Sequence, residues 1–246
     1  MKAGLVLSCE HASLAVPPDV ELGVPEVVLS SHRGWDEGAL ALGEALALAQ
    51  GAPLRSAEVS RLVVDLNRSP QTAIPRESFG LEIPGNLELS LAEATRRLER
   101  YHRPHREALL AAALAEAPCI HLSIHSFVRV LSGVARELEV GILFDPARGH
   151  EAAASEALIA GLALRGWDAR ANEPYLGTDD GLTTWLRPRL PDGRYAGIEV
   201  ELAQALVPER RAALARDLNQ VLSEVRAAWP PEGGVVGRRE GSRKQR

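Results

Sequence analysis

The sequence predicts an α/β layered fold with a largely parallel or mixed sheet. Two observations lead there. Short apolar runs of strand length alternate along the chain with longer Ala- and Leu-rich segments of helical length. The strand-like runs also end in His, Glu, Asp, Asn or Arg, and ligand sites in open α/β sheets gather at the carboxyl ends of strands.

The elements follow in order. Ala3 to Ser8 is a short apolar run ending in polar residues, which suits a buried strand. After the loop marked by Pro17, Pro18 and Pro25, Asp36 to Gln50 reads as a helix ended by Gly51 and Pro53. Ser60 to Leu66 (SRLVVDL) reads as a strand running into the turn Asn67-Arg68-Ser69-Pro70. The Pro- and Gly-punctuated stretch 70–90 is a long irregular loop, of the kind that carries function or moves. Leu91 to Glu116 is helix-forming with a kink or break expected at Pro104. Cys119 to Ile124 and Leu138 to Phe144 are strands, Glu151 to Leu164 a helix, and Asp168 to Asn172 a further strand. Tyr195 to Leu202 (YAGIEVEL) is a late strand and Pro208 to Trp229 a closing helix.

With 246 residues the chain can form one large α/β domain. A hydrophobic content of 46% with 25% charged residues is globular composition and excludes a disordered or fibrous chain. No apolar run is long enough to span a bilayer, and the first one is too short for a signal-peptide core, so a cytoplasmic protein without a membrane partner is expected. A net charge of −5 gives the body no general attraction to nucleic acid. Beyond Pro230-Pro231 the chain turns Gly-rich and basic; residues 1–229 are read as a single catalytic domain and 230–246 as a flexible tail. Cys9 and Cys119 form no CxxC pair and read as buried free thiols.

Chemistry concentrates at four places. The first strand delivers Glu10-His11, the segment after SRLVV delivers Asp65-Leu66-Asn67-Arg68, and HLSIHSF delivers His125-Ser126. The late strand carries Glu199 and Glu201 on one face, since strand side chains alternate. Two histidines, carboxylates and an arginine suit a zinc hydrolase. Each has a plainer reading: core histidines, an Asp65–Arg68 ion pair, an exposed strand face. Their joint placement favours the site. Ser126 sits in no GxSxG turn, no phosphate-binding glycine loop is present, and Gly177 to Gly181 lacks calcium-loop spacing.

In order along the chain, SCEHAS, HRGWDEGA, SRLVVDLNRSP, HLSIHSF, VGILFD, NEPYLGTDDG and GIEVEL resemble the N-formylglutamate amidohydrolase family, from about Ser8 to about Gln204. That family is similar in fold to zinc carboxypeptidases and aspartoacylase. The resemblance implies a three-layer α/β/α arrangement with a mixed, largely parallel central sheet. It also implies one zinc per chain and hydrolysis of an N-acyl amide beside a carboxylate, as in N-formyl-L-glutamate. By matched position, His11 and His125 look like metal ligands, with Asp36 as the third and Glu10 and Glu37 as alternatives. The DLNR segment resembles the Asn-Arg pair with which related enzymes grip a substrate carboxylate, which casts Asn67 and Arg68 in that role. Glu201 is the expected general base, with Glu199 as the alternative, and Arg136 is the expected oxyanion partner unless it is a surface arginine. Tyr175 and Asp180 lie in the motif without an evident role. The implied partner is a small molecule bearing a carboxylate. A carboxypeptidase or peptide amidase, and a metal-binding member without catalysis, are the alternative readings.

Overall fold

The computed structural model describes residues 2–229, so the expected tail 230–246 lies outside the described residues. A six-stranded sheet forms the centre. Its strands are β1 (Gly4–Cys9), β2 (Leu54–Ser56), β3 (Cys119–Phe127), β4 (Val140–Leu143), β5 (Ala169–Ala171) and β6 (Tyr195–Ala203), in the spatial order β2-β1-β3-β6-β4-β5. The β2-β1-β3-β6 pairings are parallel. β4 runs antiparallel to β6, and β5 pairs parallel to β4. The sheet is therefore mixed and largely parallel, as expected.

Helices cover both faces. α1 (Ala39–Gln50), α3 (Gly149–Ala163) and α5 (Pro208–Ala227) pack on one; α2 (Arg103–Glu116) and the short α4 (Leu182–Leu186) pack on the other. Strand alternation sorts the side chains between them. Leu5, Leu7, Ile120, Leu122, Ile124, Ile198, Val200 and Leu202 build the main apolar core. The alternate positions Ser8 and Glu10, His121, Ser123 and His125, and Glu199 and Glu201 form a polar stripe that is buried as deeply. Burying such groups is tolerable only where they bond one another. Accordingly, Ser8 Oγ meets His121 Nε2 at 2.7 Å, and His121 Nδ1 meets the Tyr195 hydroxyl at 2.8 Å. Burial pushes the His121 pKa down to about 4, so this link is a neutral imidazole.

One local expectation needs correction. The segment Ser60 to Leu66 is not a strand; the strand beside β1 is Leu54–Ser56. Leu62, Val63 and Val64 are buried on a winding turn whose polar groups are met locally. Ser60 Oγ donates to the Gly34 carbonyl, Leu62 N donates to Ser60 Oγ, and Asp65 N donates to the Ala73 carbonyl. An apolar run thus escapes a ladder because serine and loop carbonyls satisfy its backbone. The break expected at Pro104 is present: the helix Leu91–Arg97 passes through a π-helical turn at Leu98–His102 into α2, whose first turn holds Pro104, and the proline's missing N–H and crowding of the carbonyl four residues back fall within that irregular turn.

Candidate active site

His11 stands two residues past the end of β1, and Asp36 is drawn beside it by a backbone bond from Asp36 N to the His11 carbonyl, 3.0 Å. The chain then turns through Gly38, whose φ of +86° favours glycine, and enters α1. His125 comes from β3, one strand over. Asp36 Oδ2 lies 3.1 Å from His11 Nδ1 and 3.0 Å from His125 Nδ1, and the two nitrogens are 3.2 Å apart. All three residues are buried and could hold a metal ion. Donors around a tetrahedral metal with bonds near 2.0 Å stand about 3.3 Å apart, so the separations fit such an ion.

Each imidazole is braced from behind. His11 Nε2 lies 2.7 Å from Asp65 Oδ1. His125 Nε2 lies 2.9 Å from Ser123 Oγ and 3.3 Å from Glu10 Oε2, and Ser123 donates to that same carboxylate oxygen at 2.5 Å. A carboxylate behind a ligating imidazole fixes its tautomer and raises its basicity. Burial opposes ionisation of both acids, but their partners prevail. His11 and Arg61 hold Asp65 well below the usual carboxylate range, and His105 and His125 do the same for Glu10.

Of the expected residues, the structure gathers His11, Asp36, His125, Asn67, Arg68, Glu199 and Glu201 around one cleft. Glu10 stands behind His125 rather than in the cluster, and Glu37 is an exposed partner of Arg211. The Glu199–Glu201 face is buried, not exposed. Register on β3 sets Glu199 opposite Ser123 and Glu201 opposite His125. Glu199 is held by Thr183 Oγ1 at 2.8 Å and reached by Asn67 Nδ2 at 3.5 Å. Glu201 Oε2 is buried without a hydrogen-bond partner. Burial, reinforced by Asp36 and Glu199 and opposed by His125, pushes Glu201 up to about 8. Opposite Glu201, Gly141 on β4 leaves room for the loop beyond: a Cβ there would meet the Glu173 carbonyl at 2.1 Å.

Asn67 is largely committed, its carbonyl oxygen accepting from Leu182 N at 2.7 Å. Arg68 is half-buried; its Nη1 donates to the Asp180 carbonyl at 2.6 Å, and no carboxylate among the described residues pairs with it. Asp65 pairs instead with Arg61, Nη2 to Oδ2 at 2.9 Å. Arg136 does not line the cleft. Its Nη1 donates to the Tyr175 hydroxyl at 3.0 Å and its guanidinium lies 5.0 Å over that ring. Tyr175 does line it, and burial together with Glu201 raises its phenol pKa, so the group stays an O–H donor.

Sequence reasoning missed Arg61, Ser123 and His105. The alternation in HLSIHSF, which puts Ser123 on the face of His125, carried a signal for one of them. Arg61 and His105 reach the site from a turn and a helix, and only the tertiary fold brings them there.

Comparison with known proteins bears on the family and the fold. Residues 3–207 match the N-formylglutamate amidohydrolase family. The crystal structure of gene product Atu2144 from Agrobacterium tumefaciens is similar at 33% identity over 92% of each chain, with a TM-score of 0.81. The crystal structure of N-formylglutamate amidohydrolase from Ralstonia eutropha JMP134 is similar in fold at 22% identity, covering 92% of this chain and 93% of that one, with a TM-score of 0.70. No protein of curated function matches the chain.

Proposed function

The chain belongs to the N-formylglutamate amidohydrolase family, and on that premise we propose that it is a zinc-dependent hydrolase of the N-acyl amide of amino acids, the reaction for which N-formyl-L-glutamate gives the family its name. One observation carries the reading. Three buried donors, His11 Nδ1, His125 Nδ1 and Asp36 Oδ2, converge within 3.2 Å of one another beside the unpartnered Glu201 Oε2. Two imidazoles and a carboxylate are a ligand set that suits zinc and leaves a position open, and the bound ion would polarise the water and the scissile carbonyl.

The protein's own groups would do the rest. Glu201 takes the proton of the attacking water at its free oxygen and returns it to the leaving amine, and a carboxylate that titrates near working pH can do both. Arg68 holds the substrate carboxylate with the donors that Asp180 leaves free, a task its planar fork suits. The Tyr175 O–H, oriented by Arg136, donates to the oxygen on which charge develops. In this reading Arg136 acts through Tyr175 and does not touch the reacting atoms.

The test is metal content together with release of free amine from N-formyl and N-acetyl amino acids. One zinc per chain, lost in a His11→Ala/His125→Ala double variant along with turnover, is the expected result. A protein that takes up no metal after reconstitution, or turns over equally well without it, overturns the reading.

A further inference from the structure

The cleft has a neighbour. Its own volume is about 120 Å³, and a larger hollow of about 450 Å³ lies against it, lined by Gln71, Thr72 and Arg76 among others. Arg61, Arg68 and Phe79 line both, so these three form the wall between the two spaces. The arginines are fixed, Arg61 by Asp65 at 2.9 Å and Arg68 by the Asp180 carbonyl at 2.6 Å. Phe79 reaches the wall from the tip of a small hairpin. Its ring centroid lies 5.0 Å from that of His32 and 5.9 Å from Arg61 Cζ.

That hairpin conflicts with its own sequence. Phe79 and Gly80 are the two residues between Glu77–Ser78 and Leu81–Glu82, with φ of +48° and +77°. A two-residue turn with both φ positive selects Asn-Gly or Asp-Gly, and the left-handed region is an outlier for a bulky side chain. The conformation persists because its surroundings hold it: Arg33 Nη2 donates to the Phe79 carbonyl at 3.2 Å, and Ser78 Oγ donates to the Arg33 carbonyl at 3.3 Å. The core does not require the ring, since Phe79 is 39% exposed. A turn rule broken with so little burial in return points to work at the cleft.

We propose that Phe79 is a specificity-determining residue, whose ring closes the cleft toward the hollow and confines hydrolysis to single N-acyl amino acids, excluding N-acyl peptides. The inference rests on the hydrolase reading above and adds a limit on the length of its substrate. With the scissile amide beside His11, Asp36 and His125, the carboxylate of a single amino acid ends at Arg68, which belongs to the wall. A peptide has an amide in place of that carboxylate, and its chain has to continue through the wall, where the ring stands. Beyond it, Gln71, Thr72 and Arg76 offer polar groups that suit a peptide and its terminal carboxylate. Removing the ring therefore joins two spaces, and a joined space admits what the cleft alone does not.

The test compares N-formyl-L-glutamate with N-formyl-L-glutamylglycine on the zinc-loaded wild type and on Phe79→Asn, which removes the ring and gives the turn its preferred Asn-Gly pair. The wild type should favour the single amino acid. In the variant, kcat/KM for the dipeptide should rise and the ratio of the two should shift toward it by about 10-fold or more. Phe79→Tyr keeps the ring and should keep the wild-type ratio. Urea unfolding should give Phe79→Asn a midpoint no lower than that of the wild type, so that the change in specificity is not a damaged fold. A wild type that cleaves both compounds equally well overturns the inference, and so does a Phe79→Asn variant in which the dipeptide gains nothing. Phe79→Gly, which tolerates the same φ, takes its place if Phe79→Asn does not fold. Absence of turnover on either compound in every protein is a failure of the hydrolase reading instead. In that event, calorimetric titration with L-glutamate and L-glutamylglycine still decides the barrier: dipeptide binding gained on loss of the ring supports it, and dipeptide binding equal with and without the ring refutes it.

Discussion

Glu201→Gln separates what the buried carboxyl does for folding from what it does for chemistry. In the protein without metal, burial lifts this group from its ordinary 4.5 to about 8. A carboxyl whose pKa is higher folded than unfolded stabilises the fold most below its unfolded value, and that contribution is lost as pH rises. Between those two values the unfolded chain releases a proton that the folded one keeps. Stability therefore falls with pH, by about 1.4 kcal/mol per unit. From pH 4.5 to pH 7 the loss assigned to Glu201 is about 3 kcal/mol. A glutamine cannot titrate, so the variant lacks this slope, while any fixed cost of placing an amide beside the unsatisfied position shifts its whole curve equally. Urea unfolding of both proteins in chelator at pH 5, 6 and 7 reads the difference directly. The gap between them should move by about 3 kcal/mol or less across that range, in favour of the variant at high pH. In the zinc-loaded protein the same change should lower kcat by about 10²- to 10⁴-fold while zinc content stays at wild-type level. Parallel stability curves would refute the burial argument, and unimpaired turnover would refute the assignment of the base.

Two other changes probe the groups around it. Asp65→Asn removes the negative charge behind His11 Nε2 and half of the Arg61 pairing, so zinc affinity, measured by competition with a chromophoric chelator, should weaken about 10- to 100-fold; unchanged affinity would mean that Asp65 serves the fold alone. If Arg136 works only by orienting the Tyr175 phenol, then Tyr175→Phe and Arg136→Gln should each lower kcat, and the double variant should be no worse than Tyr175→Phe. Multiplicative losses in steady-state kinetics would show that Arg136 reaches the substrate on its own.

Much of the site was legible where strand periodicity alone sets direction. HLSIHSF and GIEVEL place His125, Glu199 and Glu201 on one face whatever the rest of the chain does, and parallel pairing then makes them neighbours. Asp36 was harder, because Glu10 and Glu37 are as close to the motifs in sequence; a single backbone bond to the His11 carbonyl and the turn at Gly38 bring Asp36 in and leave Glu37 in solvent. SRLVVDL misled for a physical reason. A short, wholly buried apolar run looks the same as strand or as turn until one knows where its amide groups find partners, and here they find Ser60 and Ala73. Arg136 misled because the reach of a long side chain across loops is a tertiary matter. Its guanidinium came to rest on an aromatic ring that nothing in its own neighbourhood announces.

The reversed direction of β4 bears on how this cleft can change over evolutionary time. β3 and β4 run opposite ways on either side of β6, so the chain leaves one and enters the other at the same end of the sheet, with no crossover between. The intervening excursion is a small hairpin, Val130–Leu131 paired with Val134–Ala135, and its residues Val130 and Val134 stay exposed. Residues could be inserted there, or removed, without moving any strand out of register, and the mouth of the cleft beside Phe127 and Tyr175 would be reshaped. The segment that presents Asp65 and Arg68 has no such liberty, since Leu62 to Val64 anchor it in the core. The fold thus lets the cleft change at that hairpin without disturbing the sheet, while the core holds the segment of Asp65 and Arg68 in place.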